Sequence, residues 1–349
     1  MTTSHLRASI CLATLCFCAA NASAAVIFSD SFGAGSAASW TTNAAPTANA
    51  ANQDAVFGFD YSAFGIPAAP GGSDTIGLRL RANIPGGAAS PVTTRPAGTI
   101  SGLSVSPTGQ NFGPNYLVSF YAWANFNGSA NAQGLADNAN SEGGTNNVMF
   151  ALGTSGTVPV VVGNTTLVTN GVMDGIGFAT SGDGGIANDY RVYPKSGTIV
   201  PAGPTYAAGA LANSNAYYTN LFPPVSAPAI QQALSTAEYG GDAANTQAGL
   251  TQAGAFGFAW HKVEISINNG IAKWKIDGAP IATYDASALT LGGSNIALGV
   301  SDVNTTTTRH PSLLFTVFDN LEVSSVPEPS AMLLLVLGIG CCWQGRRRK

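Results

Sequence analysis

Between Val26 and Val323 apolar residues recur at every second position in short runs, and Gly, Pro, Asn and Asp separate the runs. The clearest stretch is Phe256 to Tyr284. Val263, Ile265 and Ile267 alternate with Lys262, Glu264 and Ser266, the period of a half-buried strand. Asn269-Gly270 then supplies the two positive-φ residues that a tight hairpin prefers. Ala272, Trp274 and Ile276 alternate with Lys273, Lys275 and Asp277, and Asp277-Gly278 turns the chain into Pro280 to Tyr284. The pattern predicts a three-strand meander with one apolar face, which a second sheet must cover.

Further strands are predicted at Val26 to Phe32, Ile76 to Ala82, Tyr116 to Ala124, Val148 to Leu152, Gly175 to Ala179, Asp189 to Tyr193, Asn295 to Val300 and Phe315 to Val323. No convincing amphipathic helix stands out, although Pro228 to Tyr239 suits one short helix. Segments Ala34 to Asn52, Asn125 to Asn147 and Gly197 to Gly254, rich in Ala, Asn, Gly and Ser, read as long loops or insertions. No fixed-period repeat is present. The chain therefore reads as one all-β ectodomain over residues 25–325, and the 42 glycines and 19 prolines of the full sequence favour turns and short strands over long helices.

Only 9% of the residues are charged, so uncharged Asn, Ser, Thr and Gly carry much of the surface polarity. Five of the 14 basic residues lie at the ends, and the 25–325 body holds nine basic and 17 acidic side chains, a net −8. An acidic body gives no electrostatic reason to bind nucleic acid or anionic lipid. All five cysteines (Cys11, Cys16, Cys18, Cys341, Cys342) lie in terminal apolar runs, which excludes disulfides and thiol chemistry from the mature body.

Residues 1–24 have the form of a secretory signal helix: Arg7, an apolar stretch from Ala8 to Ala20, then small residues at Ala22 and Ala24. Signal peptidase is expected to cut before Ala25. A buried core helix is the other reading, but nothing upstream would cover it. At the other end, residues 326–349 fall into three parts: Val326-Pro327-Glu328-Pro329-Ser330, an apolar helix over 331–343, and a basic end over 344–349. Thirteen apolar residues make about 20 Å of helix at about 1.5 Å per residue. A hydrocarbon core of about 30 Å usually takes about 20 residues, so this transmembrane helix is short. Arg346, Arg347, Arg348 and Lys349 favour leaving that end in the cytoplasm, with the body outside. Pro327 and Pro329 fix their own φ angles and push the residues before them into an extended form. An ordinary C-terminal anchor would share these features.

The order of the three parts resembles the PEP-CTERM sorting domain of Gram-negative environmental bacteria. That resemblance implies recognition of Val326, Pro327, Glu328 and Pro329 by an exosortase, a membrane peptidase that processes the tail. It also implies transient anchoring in the inner membrane, followed by delivery to the cell surface or an exopolysaccharide matrix. Trp260 to Asp277, Ile296 to Ser301 and Phe318 to Val323 resemble the end of a concanavalin-like or laminin-G-like jelly roll, which implies a β-sandwich.

That architecture also hosts glycanases, which need two facing carboxylates. The laminarinase-like pattern Glu-x-Asp-x-x-Glu is absent, and Glu264 stands alone among Lys262, Ser266 and apolar residues. His261 and His310 have no metal-ligand spacing, and neither a G-x-S-x-G elbow nor a P-loop occurs. Asp174-Gly175-Ile176-Gly177-Phe178 resembles the Asp-Gly stretch of plant-type lectins, whose Asp holds a sugar hydroxyl. Asp183 and Asp189, and Asp302 with Asn304, are oxygen-rich loops and candidates for calcium, although turn chemistry accounts for Asp and Asn beside Gly. Trp40, Trp123, Trp260 and Trp274 suit either sugar stacking or the core. Asn127, Asn164 and Asn304 match the glycosylation pattern, which chance explains in a chain so rich in Asn and Thr.

The expectation is a non-enzymatic surface or matrix protein with no catalytic residues and no cofactor. A carbohydrate-binding module for the cell's own exopolysaccharide is the alternative, and a glycan-active enzyme a third.

Overall fold

The computed structural model describes residues 24–45, 53–82, 101–126, 146–162, 173–185, 187–195, 198–239, 249–302 and 311–326. The predicted signal helix and tail helix, the motif residues from Pro327 onward, and Asn127, Asn164, Asn304 and His310 lie outside them.

The meander forms where the alternation places it, as β10 (His261–Asn268), β11 (Ile271–Ile276) and β12 (Ala279–Asp285). Asn269 (φ 50°) and Gly270 (φ 77°) make the first turn, and Asp277 (φ 51°) and Gly278 (φ 80°) the second. Ile265 stands opposite Trp274, and both are buried. The Trp274 ring lies 5.3 Å from Phe150, 5.6 Å from Phe178 and 5.9 Å from Tyr190. Lys273 and Lys275 point to solvent on the opposite face.

Nine further strands precede the meander: β1 (Val26–Asp30), β2 (Trp40–Ala44), β3 (Asp54–Asp60), β4 (Ile76–Arg81), β5 (Ser101–Pro107), β6 (Tyr116–Asn125), β7 (Asn146–Thr154), β8 (Ile176–Ser181) and β9 (Tyr190–Pro194). Two follow it, β13 (Asn295–Asp302) and β14 (Phe315–Ser325). An eight-stranded sheet has the order β12-β11-β10-β6-β14-β4-β3, with β1 also paired to β14, and a six-stranded sheet has the order β2-β5-β13-β7-β8-β9. Every pairing is antiparallel. The inner faces enclose one aromatic and aliphatic core that includes Phe120, Phe150, Phe178, Trp274 and Phe318. This is the expected two-sheet jelly-roll sandwich.

Two of the expected long loops hold ordered structure. Ala34 to Asn52 contains a 3-10 turn (Ala34–Ser39) and β2. Gly197 to Gly254 contains α1 (Ala216–Leu221) and α2 (Ala229–Tyr239), the second at the predicted helical stretch. Reciprocal amide bonds between Asn125 and Gln231 (3.1 and 2.7 Å) hold α2 to the end of β6. No helix among the described residues is long and apolar enough to cross a membrane.

Both sheets also carry cover on parts of their outer faces. Val160 and Val162 donate backbone N–H groups to Ser104 Oγ (2.9 Å) and Ser301 Oγ (3.1 Å), laying their segment over the smaller sheet. Gly102 and Gly299 leave room for it: a Cβ would stand 3.0 Å from Val161 Cγ1 and 3.3 Å from the Val160 carbonyl. On the larger sheet, Tyr61, Ile66 and Phe258 pack over Trp123 and Val317.

Candidate functional site

The polar residues singled out from the sequence are scattered, and most are structural. Asp174 sits before β8 with Oδ2 accepting the Ser155 N–H (3.1 Å), and its backbone carbonyl accepts the Gly292 N–H (2.8 Å). It ties two loops to the strand start, and its other oxygen, Oδ1, is buried with no hydrogen-bond partner among the described residues. Glu264 is half-buried and stands 3.8 Å from Lys262. His261 Nδ1 lies 2.6 Å from Asp277 Oδ2, and Asp277 Oδ1 accepts the Lys262 N–H (2.8 Å), so this pair closes the second meander turn. Trp40, Trp123 and Trp274 are buried, and Trp260 donates Nε1–H to the Pro67 carbonyl (2.7 Å).

Asp183 and Asp189 occupy the connection between β8 and β9, and both are buried. Both Asp189 oxygens are engaged, Oδ1 with the Ser181 hydroxyl and Oδ2 with the Asn213 N–H (2.9 Å). Asp183 Oδ1 has no hydrogen-bond partner among the described residues. Burial, followed by the nearby Asp189 charge, pushes the Asp183 carboxyl up to about 8, against the pull of its own and Gly184's N–H groups and of Arg191. Calcium takes six to eight oxygens. One free carboxylate oxygen does not make that set, and among the described residues no three His, Cys, Asp or Glu side chains gather as metal ligands.

A different feature offers a binding surface. A cleft of about 510 Å³ opens where the segment entering β6, the β10–β11 turn and the β12–β13 connection meet. Its walls carry Asn111, Ser287 and Ser294 as polar groups, with Ile267, Leu289 and Leu291 as apolar ones. Asn111 Oδ1 holds both the Ser294 hydroxyl and the Gly113 N–H (3.1 Å), which fixes the lip. Tyr116 closes the floor. Its hydroxyl accepts the Gly153 N–H (2.9 Å) and donates to the Asn295 carbonyl (3.2 Å), and burial raises its pKa. The lining contains no carboxylate, imidazole, amine or thiol. Its polar groups are amides, hydroxyls and the Tyr116 phenol, which suit hydrogen bonding beside apolar contact. Three loops far apart in sequence build it, and no local motif marks them.

The chain leaves the sandwich beside this cleft. Asn115, between Pro114 and Tyr116, accepts the Val326 N–H on its carbonyl (3.3 Å) and the Asn269 N–H on Oδ1 (2.8 Å). On the far edge of β14, the Ala25 carbonyl accepts the Ser325 N–H (2.9 Å). Val326, the first residue of the predicted motif, and Ala25, the expected first residue of the mature chain, thus meet at one pole. Ala22 and the tail cations Arg346, Arg347, Arg348 and Lys349 lie outside the described residues.

No curated protein matches the chain in sequence. Among solved structures it is similar to a Bacillus subtilis protein of unknown function with a galectin-like fold, at 8% identity over 86% of this chain and 96% of that one, TM-score 0.35. It is also similar to the Emp46p carbohydrate recognition domain in potassium-bound form (9%, 85% and 93%, TM-score 0.36). A third is the VIP36 exoplasmic/lumenal domain in Ca2+/Man2-bound form (8%, 84% and 85%, TM-score 0.36). Residues 325–349 match the PEP-CTERM protein-sorting motif, so this sandwich ends in the sorting signal of an exported protein.

Proposed function

We propose that the chain is a non-enzymatic surface or matrix protein whose sandwich holds an uncharged stretch of exopolysaccharide in the cleft at its tail-bearing end. One observation carries this reading: the cleft is walled by Asn, Ser and aliphatic side chains over a buried Tyr116 whose hydroxyl is already engaged by the Gly153 N–H and the Asn295 carbonyl. Hydroxyl-rich neutral sugars match that lining, with polar edges for Asn111, Ser287 and Ser294 and apolar ring faces for Leu289 and Leu291. The acidic body disfavours anionic polymers at low salt. Delivery follows from the tail: signal peptidase frees Ala25, Arg346 to Lys349 hold the end in the cytoplasm, and an exosortase reads Val326 to Pro329.

The test is retention of the processed protein on immobilised neutral polysaccharides from the producing cell's matrix, compared with the Ser287→Trp variant. Filling the cleft is expected to abolish retention while leaving the far-ultraviolet spectrum unchanged. Equal retention by both proteins, or none by either, refutes the glycan reading.

A further inference from the structure

The last strand of the sandwich runs directly into the sorting motif, and its final residues are occupied along both edges. On one edge Glu322, Val323, Ser324 and Ser325 pair with Ser119, Val118, Leu117 and Tyr116 of β6. On the other, Leu321, Glu322, Val323 and Ser324 pair with Asp30, Ser29, Phe28 and Val26 of β1, and Ala25 completes the ladder opposite Ser325. Pro327, the next residue after Val326, has no N–H to donate to a ladder. A protease that takes its substrate as an extended strand pairs with backbone groups along one edge of it. In the folded protein the groups just upstream of the motif already have partners.

The two covering strands differ in strength. β6 spans ten residues and runs through the middle of the sheet. β1 spans five, and its register slips between Val26 and Phe28. Val26 is 54% exposed and Ile27 46%. Phe28 anchors it, with ring centroids 6.0 Å from Trp40 and 5.9 Å from Phe112. Asp30 also ties its end down, accepting the Trp40 Nε1–H (2.7 Å), so the exposed Val26 end is the loosely held one, and its release would leave β14 on β6 with one edge bare.

We propose that β1 is a clasp on the strand that leads into the sorting motif: it competes with the tail-processing protease for one edge of β14, and its release limits the rate of processing. The inference rests on the reading of residues 326–329 as a processed motif. The covalent step is ordinary peptide hydrolysis. The C–N bond breaks, water supplies hydroxyl to the carboxyl left on the body, and its proton goes to the amine of the released tail. Signal cleavage and tail cleavage are thereby coupled, because the strand that begins at the first cut guards the second.

The body has no cysteine, so a designed disulfide is unambiguous. Ser29 and Glu322 stand opposite each other with exposed side chains, within the range that direct cross-strand partners allow. Ser29→Cys with Glu322→Cys locks the clasp, and a nine-residue Gly/Ser spacer between Ser325 and Val326 moves the motif off the sheet with β1 intact. Pulse–chase in cells carrying the sorting protease reads the half-time of tail loss, and resistance of the body to added trypsin confirms folding. The oxidised lock is expected to lengthen the half-time on the order of fivefold, reversibly with dithiothreitol, and the spacer to shorten it by a similar factor, since cleavage follows the open population. Half-times equal to that of the unaltered protein for both lock and spacer overturn the clasp. Changing Pro327, Glu328 and Pro329 to Ala separates the underlying reading: unimpaired processing there refutes recognition of the motif, whatever the lock does.

Discussion

Asp183→Asn is expected to stabilise the protein at neutral pH and to flatten its stability against pH. The folded carboxyl titrates at about 8, against the ordinary 3.8 of an exposed aspartate. At pH 7 the unfolded chain carries the charge and the folded chain carries the proton. Folding must therefore take up a proton across roughly three pH units, at about 1.4 kcal/mol each, or about 4 kcal/mol. The sign follows from the raised folded value: the protonated form supports the fold fully below pH 3.8, and the support drains away as pH climbs toward 8. Asparagine keeps the shape and the acceptor that meets the Asp183 and Gly184 N–H groups, but its amide N–H bonds are left without a partner, a cost of about 1–2 kcal/mol. The expected net gain is about 2–3 kcal/mol at pH 7, shrinking to nothing or reversing near pH 4.5. Urea unfolding of both proteins at pH 4.5, 6, 7 and 8 reads the difference directly. Asp319, raised to about 6 chiefly by burial, contributes to both proteins alike and cancels. A stability difference that stays constant across that range refutes the argument, because only a titrating Asp183 makes it vary.

Two further outcomes test the packing. Trp274→Ala removes the indole that meets Phe150, Phe178 and Tyr190 between the sheets, and is expected to cost about 3–5 kcal/mol, read as a collapse of the thermal transition. Gly270→Val forces a β-branched residue into φ 77°, with its Cβ 3.0 Å from Ser287; a loss of about 2 kcal/mol in urea is expected, and none would mean that the hairpin turn re-forms differently.

What was legible in the sequence is what depends on near neighbours. The meander could be read because Val263 to Ile276 alternates without interruption and Asn269-Gly270 sets both positive φ angles. β14 and β13 could be read for the same reason. β5 escaped because its polar positions are not wet: Ser104 is buried against Val160 of the crossing segment and Ser106 is buried as well, so the alternation of apolar and polar residues does not separate a core face from a solvent face. β3 carries half-buried side chains along most of its length and gives no two-sided pattern at all.

The functional residues divide along the same line, and for a physical reason. The features that mark the sorting motif lie within two dozen consecutive residues and so can be read in one dimension: two prolines around Glu328, an apolar run, a block of cations. A cleft made of Asn111, Ser287 and Ser294 exists only after β6, β10 and β13 have been brought to one end of the sandwich. Asp174 and Asp183 illustrate the converse: Asp beside Gly looks like a ligand motif in one dimension, yet in the fold Asp174 Oδ2 takes the Ser155 N–H, the Asp183 carboxyl takes its own and Gly184's N–H groups, and the Oδ1 of each is buried without a partner among the described residues. The same long-range logic makes the β1 clasp invisible in the sequence, since Ala25 and Ser325 are 300 positions apart and meet through the Ser325 N–H on the Ala25 carbonyl and the Ala25 N–H on the Ser325 hydroxyl. A signal read locally and a guard built globally are joined at one residue, Val326. Changing the fold around that residue should therefore alter the sorting rate without altering the sorting motif.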